Sequence, residues 1–145
     1  MGPSHVLVPL DGSPLADDAL AHALDTFDCR VTVLNVVTPL DSAMSEGGVL
    51  DRSESETRHE AARERADELI EDAKHRAAEA DRSVETAIET GDPAETIVAY
   101  VESHDVDHVV MGGHGGERNE LARRLLGTVA TAVVGEAPVT VTVVR

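Results

Sequence analysis

The feature that most constrains this chain is a regular alternation of short β-branched runs with longer amphipathic stretches, free of internal repeats. His5 to Leu10 is an apolar run of strand length. Ser13-Pro14 follows, an N-cap residue with proline at the first helical position. Ala16, Ala19, Leu20, Ala23, Leu24 and Phe27 then recur at spacings of three and four, which is one helical face. Asp17 and Asp18 near its start suit the helix dipole. Arg30 to Val37 is almost continuously apolar, as expected of a strand covered on both faces. Thr38 to Ser55, with Pro39, Gly47 and Gly48, reads as a long mobile loop of the kind that is usually functional or disordered.

The second half repeats the pattern. Ala62, Ala66, Leu69, Ile70, Ala73, Ala77 and Ala80 form one helical stripe, and the charges between them read as a solvated face. Ser83 to Thr90 alternates as a strand, and Asp92-Pro93-Ala94-Glu95 starts a helix carrying Ile97, Val98 and Val101. His108 to Met111 is a fourth strand that runs into Gly112-Gly113-His114-Gly115-Gly116. The last helix is expected to place Leu121, Leu125, Val129, Ala130, Val133 and Val134 on the core side and to stop at Gly135. Val139 to Val144 is the final strand.

The order β-α-β-α-β-α-β-α-β, closed by right-handed crossovers, predicts an α/β fold with a single doubly wound five-stranded parallel sheet. Helices cover both faces, in the flavodoxin/Rossmann-like manner, and five strands suit a flavodoxin-like order. At 145 residues the chain suits one domain, 1–145. Ligands of such sheets bind beyond the strand C-termini at the switch point. That rule points to the loops after the first and fourth strands.

Charge narrows the partners. The chain has 28 Asp and Glu against 12 Lys and Arg, a net charge of −16. A nucleic-acid binder needs a cationic footprint to displace counterions, and stacking modules need aromatic platforms. With one Tyr, one Phe and no Trp, neither duplex nor single-strand binding fits. Anionic membranes are disfavoured by the same charge, and no apolar run approaches the roughly 18–20 residues of a spanning helix. The N-terminus lacks a basic n-region and an h-region, so the expected compartment is the cytoplasm. The lone Cys29 permits neither an intrachain disulfide nor a cysteine metal cage. Lys74 is the only lysine, and an acidic surface almost without lysine suits solubility at very high salt. Halophilic adaptation is therefore expected, with an ordinary acidic cytosolic protein as the plainer alternative.

The glycine-rich segment after the fourth strand could let a backbone approach an anion, or could simply be a turn needing positive φ. It is not a Walker A loop, which ends in Gly-Lys-[Ser/Thr], and Asp11-Gly12-Ser13 lacks the dinucleotide glycine spacing. His59-Glu60 lacks the second histidine of a zinc-protease helix. His104 and His108 straddle a helix end and a strand, so a surface or loop role is expected rather than a metal site. Arg118, Arg123 and Arg124 either neutralise a bound phosphate or solvate a helix face.

Val6-Leu7-Val8-Pro9-Leu10-Asp11-Gly12-Ser13 resembles the opening of universal stress proteins. Val33-Leu34-Asn35-Val36-Val37, Gly91-Asp92-Pro93, Val109-Val110-Met111-Gly112 and the terminal Ala137 to Val144 continue the resemblance over essentially the whole chain. It implies the ATP-binding subclass, whose signature is Gly, two residues, Gly, nine residues, then Gly-[Ser/Thr]. Gly112 and Gly115 match the first half and Gly127-Thr128 the last, but eleven residues, 116–126, lie between. By resemblance, Pro9 and Asp11 lie at the adenosine, Val36 meets the adenine and Met111 borders the ribose. Gly112 and Gly115 approach ribose and phosphates, and Gly127, Thr128 and Val129 grip the phosphates. Asp11 could instead be a loop cap, and Val36 and Met111 plain core. The implied ligand is ATP, with Mg²⁺ or Mn²⁺, and the implied assembly is a homodimer through Val139–Val144. No general base or lysine suits fast phosphoryl transfer, so at most weak ATP hydrolysis is expected. The rival readings are a dimeric interaction module that no longer binds nucleotide and a slow metal-dependent nucleotide hydrolase.

Overall fold

The computed structural model describes residues 2–38, 52–114 and 126–145. Nine elements alternate along them: β1 (His5–Pro9), α1 (Pro14–Thr26), β2 (Arg30–Val37), α2 (Arg52–Glu79), β3 (Glu85–Thr90), α3 (Pro93–Ser103), β4 (His108–Gly112), α4 (Thr128–Glu136) and β5 (Thr140–Val144). All strand pairs are parallel, and the sheet order is β3-β2-β1-β4-β5. The doubly wound sheet is as expected. Its order is the Rossmann-type one rather than the flavodoxin one, so winding reverses between the adjacent strands β1 and β4.

Two apolar layers explain why the sheet is covered on both sides. Side chains alternate along a strand. Val6, Val8, Val31, Val33 and Val110 therefore face α1 and α2, meeting Ala19, Leu20, Ala23, Ile70, Ala73 and Ala77. Leu7, Leu34, Val109 and Met111 face the other way, onto Ile97 and Val101 of α3 and Ala130 and Val133 of α4. Alanine on the helix side of the first layer lets the helices lie close to a valine surface, where packing contacts are most numerous.

Polar side chains finish the element ends. Ser13 caps α1 by accepting from the Ala16 amide at 3.3 Å, and Asp92 caps α3 by accepting from the Glu95 amide at 3.0 Å. At the other end of α1, Arg82 donates to the carbonyls of Leu24, Phe27 and Cys29 at 2.7, 2.7 and 3.0 Å. A guanidinium there satisfies orphan carbonyls and complements the negative end of the dipole. Asp107 ties the chain entry to β4 by accepting from the Ser4 amide, the Ser4 hydroxyl and the His5 amide. Burial alone would push its carboxyl up, but those donors outweigh it and hold the pKa below the ordinary value.

Three expectations need correction. The helix after β2 begins at Arg52, so 52–55 are not loop; 39–51 lie outside the described residues. The last helix begins at Thr128, runs through Gly135 to Glu136, and leaves Val134 47% exposed. Its buried stripe is narrow, Ala130 and Val133, and Val134 lies a further 100° around the axis. Leu121 and Leu125 lie outside the described residues.

Candidate functional site

A cleft of about 410 Å³ opens at the C-terminal edge of the sheet, where β1 and β4 part. Pro9, Asp11, Val36, Met111, Gly112, Gly127, Thr128 and Val129 all line it, so the structure brings together eight of the nine residues singled out from sequence. The ninth, Gly115, lies outside the described residues, as do Arg118, Arg123 and Arg124.

The β1–α1 loop is built by side chains that lock its backbone. The Leu10 amide donates to the Leu34 carbonyl at 2.8 Å, extending the β1–β2 ladder by one rung. Asn35, buried in β2, donates from Nδ2 to the Leu10 carbonyl at 2.7 Å. Asp11 Oδ1 accepts from the Ser13 amide at 2.9 Å, and Gly12 between them turns at φ +83°. Asp11 is therefore a loop-forming residue and, being exposed in the cleft, also a free-facing carboxylate. Met111 combines two positions in the same way. It is buried in the α3–α4 layer and it also lines the cleft.

The other flank comes from β4 and α4. Gly127 is the N-cap of α4 and makes no side-chain cap to its first turn, so the opening amides are left without one, and Thr128 and Val129 of that turn line the cleft. Gly127 itself has φ −67°, an ordinary value, so positive φ is not why glycine stands there. Close packing is: a Cβ on Gly127 would lie 3.0 Å from His114 Cα, and the Gly127 amide donates to the Gly113 carbonyl at 2.6 Å. A Cβ on Gly112 would lie 2.9 Å from the Ala16 amide nitrogen and the Leu15 carbonyl carbon. These glycines join β4 to α1 and α4 before they do anything for a ligand.

Several lining residues escaped sequence reasoning. Arg65 and Leu69 reach the cleft from α2, whose charges read as a solvated face. Asn35 lies within a quoted motif but gave no sign of its bond to Leu10, twenty-five residues away. His114 lines the cleft, whereas His104 and His108 lie elsewhere: His104 stacks on Tyr100 with ring centroids 3.7 Å apart, and His108 Nε2 lies 2.8 Å from the Thr142 hydroxyl. Among the described residues no group of three His, Cys, Asp or Glu side chains is placed to hold a metal ion, and no helix is long and apolar enough to cross a membrane.

With this geometry in hand, comparison with known proteins gives a consistent picture. The sequence model of the universal stress protein family matches residues 3–145. A curated relative, universal stress protein MJ0531 of Methanocaldococcus jannaschii, is 32% identical, with 97% of this chain and 81% of the relative covered. Among solved structures, the universal stress protein UspA from Lactobacillus plantarum matches with a TM-score of 0.80 at 29% identity, covering 98% of this chain and 97% of that one. A universal stress protein family protein from Arabidopsis thaliana, solved with AMP bound, has a TM-score of 0.69 at 20% identity, covering 98% and 91%.

Proposed function

The chain belongs to the universal stress protein family, and we propose that it works there as an adenine-nucleotide-binding module with ATP as its ligand. One observation carries the reading: the cleft at the β1/β4 switch point gathers Pro9, Asp11, Val36, Met111, Gly112, Gly127, Thr128 and Val129 around one volume. The size supports it too, since small-molecule sites run from about 300 to 1,000 Å³. In this reading the nucleoside lies between Asp11 and Val36, with Met111 and Gly112 at the ribose. The phosphates lie on the opening turn of α4, where amides and the Thr128 hydroxyl donate. The Arabidopsis protein, alike in fold, was solved with AMP bound.

A divalent cation fits only as a companion of the nucleotide. Asp11 is the one carboxylate among the described lining residues, and Mg²⁺ commonly takes one or two carboxylates and fills its shell with phosphate oxygens and water. In the rival hydrolase reading Asp11 would hold such an ion; in the nucleotide-binding reading Asp11 faces the nucleoside, and the ion would keep to phosphate oxygens and water. The proposal extends to a cytoplasmic homodimer joined through β5 and adapted to high salt.

Mass spectrometry of small molecules released from protein purified without added nucleotide tests the reading. ATP, ADP or AMP at near one per chain is the expected result. Protein that carries none and takes up none on incubation would favour the dimeric interaction module, in which the eleven residues between Gly115 and Gly127 no longer close over phosphate.

A further inference from the structure

The nucleoside end of the cleft has no aromatic side chain to stack a base. Phe27 and Tyr100, the chain's one phenylalanine and one tyrosine, are not among the lining residues, and there is no tryptophan. The wall beside the end of β2 is aliphatic: Val36 and Val37 from the strand, Ala62 and Ala66 from α2. A flat ring held there gains dispersion, but nothing that recognises its face.

One planar, delocalised group stands at that end. Arg65 lies three residues after Ala62 and four before Leu69, so the three project from one side of α2, and all three line the cleft. Ala62 and Ala66 pack against Val37, fixing this stretch of α2 to the end of β2. Leu69 Cδ2 lies 3.3 Å from the point a Cβ on Gly12 would occupy, fixing the next turn to the β1–α1 loop. The α2 turn that carries the exposed Arg65 is thus fixed beside the end of β2 and the β1–α1 loop. His114, whose imidazole is the other planar group among the described lining residues, has its Cα and Cβ against Gly127 at the opposite flank.

The guanidinium also makes no ion pair among the described residues. Arg65 is the only Arg or Lys among the described lining residues. The ion pairs among the described residues engage Arg30 with Glu85, Lys74 with Glu71, and Arg76 with Asp17 and Asp72, and Arg65 takes part in none. An arginine with no ion pair among the described residues, beside an apolar wall and in a chain where 28 carboxylates compete for 12 cations, is available to a ligand.

We infer that Arg65 determines specificity at this site by stacking its guanidinium over the face of the bound purine. The inference rests on the nucleotide reading above and supplies its base-recognising contact. Guanidinium is planar and weakly hydrated and stacks on ring faces, which the compact, strongly hydrated lysine ammonium does less well. A stacked Arg65 supports adenosine, AMP and ATP alike, whereas an Arg65 bound to phosphate supports only the phosphorylated ligands.

Calorimetric titration of adenosine, AMP and ATP into wild type, Arg65→Ala and Arg65→Lys separates these cases. Arg65→Ala should weaken all three ligands by one common factor, about 3- to 30-fold, with Arg65→Lys recovering only part. Melting temperatures should match wild type, since Arg65 makes no ion pair among the described residues. Loss of ATP affinity with adenosine unchanged would make Arg65 a phosphate ligand and overturn the inference, as would three ligands bound as tightly as by wild type. Wild type that binds neither adenosine nor ATP would instead bring down the nucleotide reading itself.

Discussion

At the scale of single residues, the two ends of the cleft separate cleanly by mutation. In the proposed reading Thr128 lies at the phosphate end, so Thr128→Ala should cost about 1.5–3 kcal/mol of ATP affinity, the range for a hydrogen bond to a charged group. Adenosine binding should be nearly unchanged; calorimetry with both ligands measures the split, and an equal loss for both would put Thr128 at the nucleoside. Gly127→Val is a different perturbation. The new side chain would press on His114 Cα and Cβ, so it should lower the melting temperature as well as ATP affinity, and an unaltered melting temperature would show that the β4–α4 junction yields. His108, at the opposite edge of the sheet, links folding to pH. Burial holds its imidazole below the ordinary histidine value; the Asp107 carboxylate works against that, and His22 adds to it. With the folded pKa below the unfolded one, the unfolded chain takes up the proton first as pH falls. Stability associated with His108 is therefore full above about pH 6.5 and drains away as pH drops through that value. His108→Gln should flatten the dependence of the urea midpoint on pH between about 7 and 5, and an unchanged slope would remove His108 from this account.

At the scale of elements, the two sheet edges are built differently. β3 exposes Glu85 and Glu89, charges that discourage pairing with another chain. β5, at the opposite edge, carries Val141, Val143 and Val144 only partly covered. The proposed homodimer through Val139–Val144 answers that exposure, and light scattering at micromolar protein in high salt should give twice the chain mass; a monomer would contradict it. What the sequence makes legible at this scale follows the range of the signal. Ser13 and Asp92 cap their helices as their short motifs predict, because a cap is settled within three residues. The start of α2 was hidden because Ser53, Glu54 and Ser55 give no apolar period before Ala62. Bonds such as Asn35 to Leu10 and Arg82 to Leu24, Phe27 and Cys29 join segments 25 to 58 residues apart, and no local pattern announces them. The flavodoxin-like strand order expected from the sequence failed for the same reason, since which strand lies beside β1 depends on how the crossovers pack. The site glycines were found by motif, but their packing reason became visible only with His114 and α1 in place.

At the scale of the whole molecule, a net charge of −16 sets the conditions under which the fold and site operate. Mutual repulsion among carboxylates reaches further as salt is removed, since the Debye length grows from about 3 Å at 1 M to about 30 Å at 0.01 M. The melting temperature should therefore rise substantially between dilute buffer and molar KCl, and a flat salt series would deny any stabilising link between the acidic excess and ions. The same field opposes an anionic ligand, which gives weight to the amide donors proposed at the start of α4. In the proposed function, the cleft between β1 and β4 holds an adenine nucleotide. Titration of ATP into nucleotide-free protein by calorimetry in molar KCl, with AMP as competitor, tests this most directly. One saturable site per chain, displaced by AMP, is the predicted result; no binding heat at millimolar ATP would contradict it.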